Sequence, residues 1–130
     1  MQRRTYLQSM LAGGAAATMA GAQEKERFIL LHVDLAVDPA REKEFVRKFH
    51  TVFKPTAARQ TGYRNVIIVK LRQALVGQAP GDANYRFVLA FDSEELRQKW
   101  VASADHQRVW PQLESLLKHK NYNVLLFDVA

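Results

Sequence analysis

The chain has 130 residues, 48% hydrophobic and 25% charged, a balance that fits one globular domain and excludes wholesale disorder. It has no cysteine, which excludes disulfides, thiolate catalysis, iron–sulfur clusters and Cys-ligated zinc. The net charge is +6; Arg3 and Arg4 carry two of these units, leaving +4 (6 less 2) on residues 23–130. There the basic residues are scattered, without a basic arm or basic–aromatic interleaving, so no nucleic-acid partner is expected. No apolar run is long enough for a stable membrane span.

Residues 1–22 read as an address. Two arginines precede a mildly apolar, Ala- and Gly-rich stretch that ends Ala20-Gly21-Ala22, small residues that suit a signal-peptidase pocket. Arg3-Arg4-Thr5-Tyr6-Leu7-Gln8 resembles the twin-arginine (Tat) signal Ser/Thr-Arg-Arg-x-Phe-Leu-Lys, with Gln2, Tyr6 and Gln8 departing from it. Cleavage is expected before Gln23, which makes the protein bacterial and periplasmic or otherwise extracytoplasmic. The alternative is an amphipathic N-terminal helix of the domain itself. Residues 23–130 form one unit, which should bury about 65% of its unfolded-chain surface.

Phe28 to Val37 is strongly apolar with alternation and is expected as a strand. Asp38-Pro39 then starts a helix, with Asp38 as N-cap and Pro39 at the first helical position. Phe45, Phe49, Val52 and Phe53 share one face of it, Arg41, Lys43, Glu44 and Lys48 lie mostly opposite, and Pro55 disturbs or ends it. Gly62 marks a turn into a second strand, Arg64 to Arg72. Residues 73–83, with Gly77, Pro80, Gly81 and Asp82, form a loop. Asn84 to Phe91 is a third strand. Asp92-Ser93-Glu94-Glu95 has the look of a capping box before Leu96, Trp100 and Val101. A further helix covers His106 to Lys118, with a break expected near Pro111 and Asp105 as an alternative N-cap. Asn123 to Val129 is the last strand.

The order βαββαβ is the ferredoxin-like, α+β arrangement, an antiparallel sheet with both helices on one face. Period-two bookkeeping places Ile29, Leu31, Val33, Leu35, Ile67, Val69, Leu71, Tyr85, Phe87, Leu89, Phe91, Leu125, Phe127 and Val129 under the helices. The opposite face mixes Leu30, Val66, Ile68, Val88 and Leu126 with His32, Asp34 and Arg86. It is too apolar for a solvated face and too charged for a core. A second copy packing sheet to sheet around a polar-lined cavity accounts for the mixture.

The chain from Phe28 to Val129 resembles the antibiotic biosynthesis monooxygenase (ABM) family of dimeric α/β barrels. The residues carrying this are Val37-Asp38-Pro39, Gly62-Tyr63, Phe91-Asp92-Ser93 with Glu95, and Trp100-Val101-Ala102-Ser103-Ala104-Asp105-His106. The resemblance implies a homodimer with a pocket between the free sheet face and the second helix. Some members oxygenate quinols or anthrones with O2 and no metal or flavin, so a small aromatic substrate and no cofactor are implied. Other members degrade haem with a first-strand Asn, a Trp, and a His about ten residues later. Trp100 matches that Trp, but position 110 is Trp110 and the first strand has no Asn.

His106 is the leading candidate for a base, since the start of a helix lowers a histidine pKa and keeps the imidazole neutral. His32 and Asp34 lie two apart on one strand face, where Asp34 is placed to orient His32 or raise its pKa. Arg86, on the same face, is a candidate oxyanion holder or a salt-bridge partner of Asp34. Trp100 and Trp110 are candidate walls for a flat ligand or core residues. Tyr63, Tyr85 and Tyr122 read as core or interface, and His50 and His119 as surface. No metal-ligand spacing, phosphate loop or nucleophile elbow is present. The apolar loop residues Ala74, Leu75 and Val76 are candidates to reach across a dimer. The leading reading is an exported, cofactor-free monooxygenase. Its rivals are a non-catalytic periplasmic binding barrel and a haem-binding barrel with His106 or His32 as ligand.

Overall fold

Ile29, Leu31, Val33 and Leu35 are buried and alternate with partly exposed neighbours, which forms the first strand, β1 (Ile29–Leu35). This computed structural model describes residues 27–130; the expected leader, residues 1–22, lies outside them. After β1, Asp38 caps the first helical turn, its carboxylate accepting from Ala40 N–H at 3.0 Å with Pro39 next in line. A 3₁₀ turn (Pro39–Arg41) leads into α1 (Glu42–Lys48).

Phe45, Phe49 and Phe53 recur every fourth residue and are fully buried. Between the last two the backbone widens into a π-helical segment (Phe49–Phe53), so that Lys54 N–H donates to the Phe49 carbonyl. Helix α2 (Lys54–Ala57) continues from it. Pro55 thus disturbs the helix, as expected, without ending it at once: the α-helical pattern gives way to the π segment just before it and stops at Ala57. The widening places it in the first turn of α2, where a missing N–H leaves no partner unsatisfied.

Gly62 makes the turn into β2 (Tyr63–Lys70) at φ +90°. A Cβ there would lie 2.6 Å from Leu96 Cδ1, so the positive φ and the close approach both require glycine. β3 is Tyr85–Phe91 and β4 is Asn123–Asp128. The four strands form one antiparallel sheet in the order β2-β3-β1-β4. This is the ferredoxin-like α+β fold expected from the element order.

Two strands present the opposite faces from those expected. The register of β2 shifts between Tyr63 and Asn65, and after this bulge Val66 and Ile68 stand opposite Leu89 and Phe87 on the helix side. Ile67 and Val69 then stand opposite Val88 and Arg86 on the open side. In β4, Val124 and Leu126 pair with Val33 and Leu31, while Leu125 and Phe127 pair with His32 and Leu30 on the open side. Both strands carry four consecutive aliphatic or aromatic residues, so period two has no phase to read. Pairing with β3 and β1 sets it instead.

Asn84 closes the base of the 73–83 loop. Its backbone N–H donates to Leu35 O at 2.9 Å and its carbonyl accepts from Leu71 N–H at 2.9 Å. Its side-chain amide bonds both polar atoms of Val37, at 2.7 and 2.9 Å, as a paired strand would. The loop beyond carries Leu75 and Val76 almost fully exposed.

Helix α3 (Glu94–Ala102) is capped by Ser93, whose hydroxyl accepts from Leu96 N–H. Helix α4 (Ala104–Glu114) is capped by Ser103 and not by Asp105. The break between the two helices falls at Ser103, not at Pro111, which is exposed within α4. Ser103 Oγ accepts from His106 N–H at 3.2 Å and donates to Trp100 O at 2.6 Å, so one hydroxyl sets the position of both residues.

Candidate functional site

Helices α3 and α4 pack on the helix side of the sheet and leave a cavity of about 160 Å³ between them and it. Leu31, Val33, Phe87 and Leu89 form its sheet wall. Phe53, Arg97, Trp100, Val101, His106, Trp110 and Tyr122 line the rest.

His106 sits between two indoles. Trp100 meets it edge-on with ring centroids 4.9 Å apart, and Trp110 lies nearly parallel at 6.3 Å and 22°. The imidazole makes no hydrogen bond among the described residues. Burial lowers its pKa from the ordinary 6.5, and the Arg97 guanidinium lowers it further. With its pKa below 6.5 the ring is mostly neutral at pH 7; burial and the neighbouring cation are the causes, and its place in the first turn of α4 acts in the same direction.

Arg97 is held in a fork by Glu94, with Nε to Oε1 at 2.7 Å and Nη2 to Oε2 at 2.6 Å. Tyr122 donates its phenol hydrogen to Glu114 Oε2 at 2.7 Å, and burial raises its pKa. Sequence reading missed both as site residues. The signal for Arg97 was present, since Arg97, Trp100 and Val101 fall at i, i+3 and i+4 and share a helix face.

The remaining candidates lie on the other side of the sheet. Arg86 Nε donates to Asp34 Oδ1 at 2.7 Å, and the Asp34 side chain is only 5% exposed. This is the salt-bridge alternative weighed above. The His32 ring packs on Phe127 at 4.8 Å. Burial lowers the His32 pKa, Arg86 lowers it further, and the upward pull of Asp34 is outweighed, contrary to the expected rise. His32, Asp34 and Arg86 thus form one cluster and His106, Trp100 and Trp110 another, with the sheet between them.

A larger cavity, about 270 Å³, lies at the end of the open face beside Asp34, Arg86 and Lys70. Three of its four charged groups are already paired, Arg86 with Asp34 and Lys70 with Glu42 at 2.6 Å; the fourth is Arg72. The helix-side cavity is the one that offers an unbonded imidazole. His50 is exposed, and His119 is held by Asp82 at 3.0 Å. Among the described residues no three metal-ligating side chains converge.

No family model matches the chain, and no curated protein sequence does. Solved structures do resemble it. A candidate antibiotic biosynthesis monooxygenase from Bordetella bronchiseptica is 17% identical, with 80% of this chain and 98% of that one covered and a TM-score of 0.66. Another so described, from Caulobacter crescentus, is 12% identical, with 80% and 91% covered and a TM-score of 0.65. A dimeric ferredoxin-like protein of unknown function from a Jannaschia species is 14% identical, with 78% and 99% covered and a TM-score of 0.66. At these identities the likeness establishes the fold.

Burial of His106 has a consequence for stability. A histidine whose folded pKa is depressed stabilises the fold above the unfolded value near 6.5, and that contribution is lost as pH falls through the folded value. His32 acts in the same direction. The carboxylates with lowered pKa, such as Glu94 and Asp105, act below their ordinary 4.5 and 3.8. Melting temperature should therefore fall between about pH 7 and about pH 5. The fall should be shallower in His106→Gln; an identical slope in that variant would show that the imidazole is not buried.

Proposed function

We propose that the chain is an exported, homodimeric monooxygenase of the antibiotic-biosynthesis type, oxidising a small phenolic or quinol-like ring with O2 and no cofactor. The observation that carries this reading is the neutral, unbonded His106 imidazole between two indoles in an apolar cavity. A flat ring fits between such walls, and an imidazole in this state accepts a proton. The resulting phenolate is electron-rich enough to reduce O2 directly. For a hydroquinone, one oxygen atom enters the ring carbon and the other leaves as water, giving a hydroxyquinone. The substrate supplies all four electrons that O2 takes up, two in forming the new C–O bond and two in going from quinol to quinone, and the apolar walls keep water from the intermediate.

The cavity volume limits the substrate. About 160 Å³ is well below the roughly 300–1,000 Å³ of drug-sized sites, and it suits one ring or a fused pair. Anthrones exceed it, and a porphyrin does so by more. A phenol near pKa 10 and an imidazole below 6.5 stand more than about three pH units apart. The proton transfer therefore runs uphill unless a positive charge stabilises the anion.

Homodimerisation is supported by the open face. Ile67, Val69, Leu125 and Phe127 are 40–45% exposed there, in a row of apolar groups that a solvated face would not present. Proteins of this fold, including the Jannaschia one, are described as dimeric. Leu75 and Val76 on the neighbouring loop would meet the partner. The export reading rests on residues 1–22 alone.

Oxygen uptake on a panel of hydroquinones and naphthols, with an anthrone as a size control, tests the reaction. His106→Ala should lose about a hundredfold or more in kcat/KM. His32→Ala, on the far side of the sheet, should stay within a few-fold. The wild-type profile should rise through a pKa below 6.5 and stay level at neutral pH. If a folded protein takes up no oxygen with any substrate, the binding barrel becomes the better reading. For the dimer, Phe127→Asp should shift sedimentation toward monomer, and an unchanged dimer would remove the open face as the interface. For export, Arg3→Lys with Arg4→Lys should hold the chain in the cytoplasmic fraction; continued periplasmic recovery would rule out the twin-arginine route.

A further inference from the structure

We propose that the helix-side cavity selects an aromatic ligand bearing an oxyanion, and that the free edge of the Arg97 guanidinium holds that anion. The inference rests on this cavity being the substrate site proposed above. Of the residues lining the cavity, Arg97 is the one with a permanent charge. Its side chain is 17% exposed, and Glu94 binds only Nε and Nη2. Nη1 makes no hydrogen bond among the described residues. No buried side-chain polar atom among them lacks a partner, so the unbonded Nη1 has accessible surface, on a residue that lines the cavity.

Glu94 does two things to this group. Its two-point contact fixes the plane of the guanidinium, so little side-chain freedom is lost when an anion binds. It also balances the charge of the empty site against apolar walls. The other groups of the cavity bring no permanent charge to an oxyanion; the imidazole and the two indoles carry neutral N–H groups. The Tyr122 hydroxyl gives its hydrogen to Glu114 and accepts from the Trp110 indole N–H. His106 is neutral, and Arg86 lies across the sheet, paired with Asp34. Arg97 is thus placed to receive a ring carboxylate, or the phenolate left when His106 takes a proton. The second case supplies the positive charge that the uphill transfer requires.

The chain has two tryptophans, Trp100 and Trp110, and both line the cavity, so intrinsic fluorescence reports its occupancy. The full chain is titrated with 2,5-dihydroxybenzoate and with the uncharged 2,5-dihydroxybenzamide, in wild type and in Arg97→Gln. Wild type should bind the carboxylate at least about tenfold more tightly than the amide, the range expected for a charge-assisted contact. Arg97→Gln should bind both alike, with amide affinity kept within about twofold. Equal binding of the two ligands by wild type, or a preference that survives in Arg97→Gln, overturns the assignment of Arg97 while leaving the cavity as a ring-binding site. Binding of neither ligand by wild type overturns the cavity reading and this inference with it. Should Arg97→Gln fail to fold, Arg97→Lys is read instead. A preference reduced to a few-fold supports the guanidinium as the holder, because an ammonium lacks the planar fork. An undiminished preference counts against it.

Discussion

Phe53 is the contact on which the interior depends. Its ring lies 5.2 Å from Phe87 on the sheet, 5.7 Å from Trp100 on α3 and 6.2 Å from Trp110 on α4. It also stacks with Phe49 at 6.0 Å and 16° within its own helix. One side chain thus joins the sheet to every helical segment that lines the cavity. Aromatic pairs of this kind contribute about 0.5–1.5 kcal/mol each beyond their burial. Exposed ion pairs such as Lys48–Glu44 contribute about 0–1 kcal/mol. The aromatic hub therefore outweighs the surface charge pairs in holding the layers together. Phe45, Phe49 and Phe53 share one helix face through their four-residue spacing, which the π-helical segment between the last two preserves ahead of Pro55.

The position of the site follows from this packing. Ser103 interrupts the helical run, and its hydroxyl ties Trp100 O to His106 N–H, so the indole and the imidazole move as a unit. Trp110, one turn further along α4, closes the other side of the imidazole. Burial of this assembly, together with the Arg97 cation, keeps His106 uncharged. The Arg97–Glu94 pair lies at the edge of this assembly, half-buried and with Gln98 also donating to Glu94. The chemistry of the cavity is thus a product of the core and not of a loop laid over it.

The element order and the ferredoxin-like fold were legible in the chain because β1 and β3 alternate cleanly, and because Asp38, Ser93 and the glycines mark the turns. The phases of β2 and β4 were not legible. Val66 to Val69 and Val124 to Phe127 are unbroken apolar runs, and only a bulge or the pairing partner decides which residue faces which layer. The site was legible in part. Trp100, His106 and Trp110 do come together, with spacing that follows the helices. His32, Asp34 and Arg86 were grouped correctly with one another. The alternation of β1 already assigned them to the face opposite Leu31 and Val33. The pocket lies with Leu31 and Val33, because that is the face on which a helix can pack. Arg97 was legible only as a residue sharing the helix face of Trp100 and Val101; that this face borders a void is set by how α3 and α4 pack on the sheet.

Asn84 has a consequence for how the protein can diverge. By bonding Leu35, Val37 and Leu71 at once, it completes the sheet before the 73–83 loop begins. The strands that wall the cavity are therefore closed off before the loop turns, and the loop is tied back ahead of β4 by Asp82, which pairs with Lys118 and His119. Loop length and composition can drift, and lengthening a loop costs little because closure entropy grows only slowly with size. The loop and the cavity walls can vary largely apart in this chain, with the Asn84 amide as the boundary between them and Asp82 as the remaining tie.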